Sequence, residues 1–354
     1  MTRPLVDRIA DAVLYEGYIL YPYRPSIKNR QRWTFGGLYP RSYCQAPRGA
    51  DAWSNQTECL VAGSPYTSLE IRVRFLHLTE RQVGEIVPLS AWTESAEPPY
   101  RPVETLQVGD QVFHSWQEAQ EREVVMKDMK LGDLFDRPLR RAFAFPGKRW
   151  LEPLPAPSGD VVGVLAREQH AVEGVCVMSV TSVGERLFRL TTRVFNLTPF
   201  DAALSPGRDD ALLRSLVSTH SVLLARGGDF VSLLDPPREW QQAAEDCRNV
   251  GSWPVMVGEE GQTDTVLSSP IILYDYPQLA PESPGDFFDG TEIDEMLTLR
   301  ILTLTDEEKR SMESVDERAR QLLTRTEGLA SEELARLHGA VRGRRPFAEV
   351  QSDG

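Results

Sequence analysis

Two stretches early in the chain, Glu58–Gly63 (ECLVAG) and Ser68–Leu78 (SLEIRVRFLHL), alternate apolar and polar residues. A strand turns successive side chains to opposite faces, so this period of two buries one face of a sheet and leaves the other polar, a pattern no helix satisfies. The same chemistry returns over 161–198 (VVGVLAREQHAVEGVCVMSVTSVGERLFRLTTRVFNLT), which holds three candidate strands with turns near Gly174 and Gly184–Glu185. Gln111–Met126 reads as a long strand, Lys130–Phe145 as a turn and an edge segment, and SWPVMVG as a further strand. SVLLARGGDFVSLL reads as a hairpin over Gly227–Gly228.

Helices are few. Residues 4–16 place Leu5, Ile9, Val13 and Leu14 on one side of an amphipathic helix, and Asp209–Ser218 and Trp240–Arg248 are short helix candidates. Thr305-Asp-Glu-Glu308 and Ser314-Val-Asp-Glu317 are capping boxes, and Ser331 caps a third short helix. The expected fold is therefore α+β, a β-rich core of mainly antiparallel strands with a C-terminal helical segment. The expected parts are 1–150, 151–305, a helical appendage 306–342 and a disordered tail 343–354, with the proline-rich stretch 146–160 as linker.

A length of 354 residues suits one large domain or two, and 41% apolar with 26% charged residues is ordinary for a globular chain. A net charge of −13 disfavours nucleic acid, which selects basic surfaces. The longest apolar run, near Pro270–Leu273, is far below the roughly 20 residues of a membrane span. The N-terminus carries Asp7, Asp11 and Glu16 and does not read as a signal peptide. Cys44, Cys59, Cys176 and Cys247 form no CxxC pair, which reads as reduced and cytoplasmic.

The charges are segregated. Residues 17–50 hold six basic residues and no acid, interleaved with seven aromatics, and Pro22, Pro25 and Gly36–Gly37 make the segment strand and loop. Between Arg248 and Arg300 there is no Lys, Arg or His, but there are ten acids. Blocks of opposite sign point to internal or inter-subunit pairing, to a partner-protein surface, or to a small-ligand site. The candidate binding residues are Tyr21, Arg24, Lys28, Arg30, Arg32 and Trp33 on the basic side. On the acidic side they are Asp275, Tyr276, Glu282, Asp286, Asp289, Glu292, Asp294 and Glu295.

Recognised catalytic patterns are missing. Counted from Asp286, a calcium loop would need ligands where Phe288 and Leu297 stand, so only a looser carboxylate site for Mg²⁺ or Ca²⁺ remains. His77, His114, His170, His220 and His338 share no ligand spacing, no GxSxG or phosphate loop occurs, and no cofactor is implied. Cys44 would be activated if it were exposed in its basic surroundings; the alternative is a buried, inert thiol. An Arg-apolar-apolar-x-Leu-Thr string begins at Arg74, Arg193 and Arg300, and each copy reads as a strand running into a threonine-capped turn.

The strings LYEGYILYPYRPSIKNRQRWTFGGLYP and SSPIILYDYPQLAPESPGDFFDGTEIDEMLTLRILTLTDEEKR resemble a bacterial, largely actinobacterial, protein family associated with nickel–iron hydrogenase gene clusters. The resemblance spans most of residues 4–340 and brings no catalytic residue with it. It implies a cytoplasmic, non-catalytic accessory or assembly role with a protein partner, a hydrogenase subunit, and with neither nucleic acid nor membrane. The competing expectation is a metal-dependent hydrolase using Asp275, Asp286, Asp289 and Glu292.

Overall fold

The computed structural model describes residues 2–15, 36–45, 51–87, 98–135, 137–201 and 207–278. Two antiparallel sheets stack face to face. In the first, β1 (Ser54–Ala62) lies between β13 (Asp229–Val231) and β11 (Leu187–Asn196), and the order continues through β10 (Val172–Gly184) to β7 (Leu139–Phe145) at the edge. The second runs β14 (Trp253–Met256), β15 (Thr265–Ser269), β12 (Val217–Arg226), β2 (Ser68–Ile86), β9 (Val161–Gln169), β8 (Lys148–Pro155). Strands from either side of residue 150 thus pair in both sheets.

The 19-residue β2 is the hub. On one edge β6 (Trp116–Lys130) pairs with Ser68–Arg81 and β3 (Tyr100–Val103) with Val83–Ile86. On the other, β12 pairs with its first half and β9 with Glu80–Glu85. A hairpin of β4 (Thr105–Val108) and β5 (Gln111–His114) folds over the far end.

Alternation decides what fills the sandwich. Leu69, Ile71, Val73 and Phe75 of β2 face Cys176, Met178 and Val180 of β10 and Phe188, Leu190 and Val194 of β11 in one buried cluster. Thr57 of β1 and Ser268 of β15 join their hydroxyls at 2.6 Å across the gap, and Ser252 extends the chain at 2.6 Å.

The opposite face of the second sheet is covered by α1 (Thr2–Tyr15), whose Val6, Ile9, Ala10 and Val13 pack on Val222, Val255, Val257 and Leu267. One helical turn separates Asp7 and Asp11, which reach Arg72 (2.9 Å) and Arg74 (2.5 Å) on β2. Burying these arginines without partners would be costly, so the carboxylates fix the helix on the sheet as well as its apolar stripe does.

Several sequence expectations are corrected. Gly227–Gly228 does not close a hairpin: β12 belongs to the second sheet and β13 to the first, and the turn carries the chain between layers. Phe230 explains this, since it enters the inter-sheet core. The hydroxyl of Thr67 donates to Gly227 O at 2.8 Å and ties this crossing to the one between β1 and β2. The stretch 146–160 is no bare linker, because β8 occupies Lys148–Pro155. The first Arg-x-x-x-Leu-Thr copy does not end a strand, since β2 runs on to Ile86. The second does: β11 stops at Asn196, whose side chain accepts from Thr198 N at 2.9 Å.

The expected helices over 209–218 and 240–248 are one-turn elements, α3 (Arg208–Leu212) and α4 (Gln241–Glu245). Within 36–45 there is a helical turn, α2 (Arg41–Cys44), in place of the expected strand and loop. The C-terminal helices expected over 306–342, the tail 343–354 and the third copy at Arg300 lie outside the described residues.

Candidate functional site

The inward face of β2 changes character along its length. After Leu69, Ile71, Val73 and Phe75 come His77, Thr79 and Arg81, and then apolar Val83, which joins a second cluster with Val108, Leu154 and Leu165. The three polar residues are buried (0%, 4% and 5% exposed), so they form a belt between two apolar cores. Buried polar groups persist where they are satisfied, and the neighbouring strands supply the partners.

One half of the belt is an ion network. Glu118 of β6 accepts from Arg81 Nη1 (3.1 Å) and from Arg167 Nε (2.8 Å), while Arg167 Nη1 also reaches Glu152 (2.5 Å). Arg81 further donates from Nε and Nη2 to His114 O at 3.3 and 3.1 Å.

The other half centres on Arg122, which β6 places opposite Phe75. Its Nε donates to His77 Nδ1 (3.4 Å), its Nη2 donates to Gln169 Oε1 (3.0 Å), and the guanidinium lies 4.7 Å from the centroid of Phe145. Gln169 Nε2 in turn donates to Thr79 Oγ1 at 2.9 Å. His77 Nε2 donates to His170 O at 2.7 Å, so the two ring contacts together select the neutral tautomer protonated at Nε2. Burial, with Arg122 and Lys148 acting in the same direction, pushes the imidazole pKa down to about 4. Lys148, paired across β8–β9 with Gln169, holds its ammonium 4.6 Å from the Trp150 ring.

Both carboxylates of the belt are taken by Arg81 and Arg167. Among the described residues none pairs with Arg122 or Lys148. The acids flanking Arg122 point to the opposite sheet face, where Glu121 meets Arg74 (3.3 Å) and Glu123 approaches Arg72 (3.8 Å). The belt is therefore electropositive in a chain of net charge −13.

Of the residues singled out by sequence, Asp275 and Tyr276 are described. Asp275 accepts from Ser232 Oγ (2.5 Å) and from Met256 N (2.8 Å). Tyr276, with φ of 54°, donates from its amide to Met256 O (2.7 Å) and from its hydroxyl to Gln262 O (2.9 Å). They fasten the segment after β15 to β14, and Asp275 already spends both oxygens on the protein. Tyr21, Arg24, Lys28, Arg30, Arg32, Trp33, Glu282, Asp286, Asp289, Glu292, Asp294 and Glu295 lie outside the described residues.

Among the described residues no three His, Cys, Asp or Glu side chains converge as metal ligands. All four cysteines are free thiols. Burial, followed by the Asp51 carboxylate, holds Cys44 up at about 11, the inert alternative, and burial raises Cys176 to about 12.

The belt itself was not singled out from sequence, although its signal was there. Continuing the period of two from Phe75 puts His77, Thr79 and Arg81 on the buried face. No family model matches the chain, and a search of curated proteins finds no match. No helix among the described residues is long and apolar enough to cross a membrane.

Proposed function

We propose that this protein is a cytoplasmic, non-catalytic accessory or assembly factor that acts by protein–protein binding, with a nickel–iron hydrogenase subunit as its partner. The observation that supports this best is the outer edge of the first sheet. Among the described residues β7 pairs only with β10, and Leu139, Arg140, Arg141 and Ala142 are all exposed. Phe143 and Phe145 anchor the strand from behind by packing on Phe75 at 5.9 and 5.7 Å between ring centroids. The edge is thus a rigid template whose outer backbone groups meet no partner among the described residues.

Residues 137–151 carry Arg137, Arg140, Arg141, Lys148 and Arg149 and no acid. Such a rim repels a second copy of the same strand and attracts an extended acidic segment, which would add as a further strand. The occupant proposed here is an acidic segment of the hydrogenase subunit.

Co-expression of the tagged chain with the hydrogenase subunits tests this. The wild type is expected to co-purify with a subunit, and Arg140→Glu with Arg141→Glu to reduce recovery by about tenfold or more. The thermal midpoint should stay put, since both side chains are exposed. No subunit in the eluate, or full recovery with the double variant, would overturn the reading.

A further inference from the structure

We infer that Arg122, assisted by Lys148, is a carboxylate-binding subsite at the mouth of the polar belt. This does not depend on the protein partner proposed above. A guanidinium offers two edges, the side formed by Nε and Nη2 and the end formed by Nη1 and Nη2. In Arg122 the side edge is held by His77 Nδ1 and Gln169 Oε1. The end edge meets no acceptor among the described residues, so two donors remain for a planar anion.

Three further features favour a ligand over an idle arginine. The guanidinium is fixed, because Phe145 lies under it and two hydrogen bonds set its plane, so little side-chain entropy remains to be lost on binding. Among the described residues the charge is unmatched, because the acids on either side in sequence point to the other face of the sheet and the belt's own carboxylates are engaged by Arg81 and Arg167. Access exists, because Arg122 is only half-buried and its neighbours Gln120 and Lys148 are exposed. Lys148 sits on the same sheet face through its pairing with Gln169 and supplies a second positive charge. The two parallel N–H donors of the end edge match the two oxygens of a flat carboxylate.

The carboxylate could belong to a free small acid or to a side chain of a peptide, and calorimetric titration of the purified full chain separates the two. The probes are succinate, acetyl-glutamate amide and inorganic phosphate. A saturable carboxylate response is expected, weakened about tenfold by Arg122→Gln and less by Lys148→Gln. Tighter binding of succinate assigns a small acid, and tighter binding of acetyl-glutamate amide assigns a peptide side chain. Because Arg122→Gln leaves His77 and Gln169 short of a partner, Lys148→Gln on the exposed rim serves as the variant that keeps the fold. The inference is overturned if neither carboxylate saturates, if phosphate binds more tightly than both, or if neither variant that folds weakens the response.

Discussion

Replacing Phe75 by alanine is expected to destabilise the fold by about 3–5 kcal/mol, among the largest losses a single truncation can cause. Phe75 is fully buried near the middle of β2, within the main inter-sheet cluster. Its ring meets Phe143 and Phe145, which hold the edge strand β7 against the core. Truncation would leave a cavity between the sheets where rigid strands cannot close in. The loss would reach the belt too, because Phe145 also supports Arg122. Urea denaturation should show a lowered midpoint with an unchanged slope. A loss below about 1 kcal/mol would mean that Phe75 does not sit in a close-packed core.

Acid should weaken the fold well before the carboxylates titrate. His220 is fully buried beneath α1; its Nδ1 donates to Ser218 O at 3.0 Å and its Nε2 meets no partner among the described residues. Burial, with Arg74 and Arg72 beside it, pushes its pKa down to about 3, and His77 is held near 4. Both would titrate near 6.5 in the unfolded chain. The folded state therefore binds fewer protons below that pH. The stability these groups contribute is fully present above about pH 6.5 and is lost as pH falls toward their folded values. At about 1.4 kcal/mol per unit, the two together imply a loss of several kcal/mol between pH 7 and pH 4.

His114 and His170, both lowered chiefly by burial, act in the same direction. Glu80 opposes them. Burial and the nearby Glu168 and Asp210 raise its pKa, so its contribution is present at low pH and is lost as pH rises through the folded value. Denaturation at pH 7 and pH 5 is expected to show a clear drop for the wild type and a smaller one for His220→Leu. Equal drops would show that His220 is not the buried neutral group described here.

The strands were legible because their signal is local. Alternation in SLEIRVRFLHL fixes which residues face inward, and α1 announces itself by an apolar stripe. Pairing was not legible, because two sheets built from the same kind of strand differ only in contacts distant in sequence. Gly227–Gly228 satisfies a turn equally well within a sheet or between sheets, and only the burial of Phe230 decides. The prolines of 146–160 suggested a linker, yet Pro153 and Pro155 sit in β8, which among the described residues pairs only with β9, so a missing N–H can face outward. The belt was masked by its composition. His77 and Arg122 lie 45 residues apart, and neither falls in a ligand motif. Their partnership arises from the register of β2 with β6.

The most direct measurement is hydrogen–deuterium exchange on the chain alone and on its complex with the co-expressed hydrogenase subunit. Amides within Leu139–Phe145 are expected to slow by about tenfold or more on binding, as an edge gains a hydrogen-bonded neighbour, while the buried amides of β2 are unchanged. A complex that leaves β7 exchanging as it does in the free chain, with protection elsewhere, would contradict strand addition at this edge.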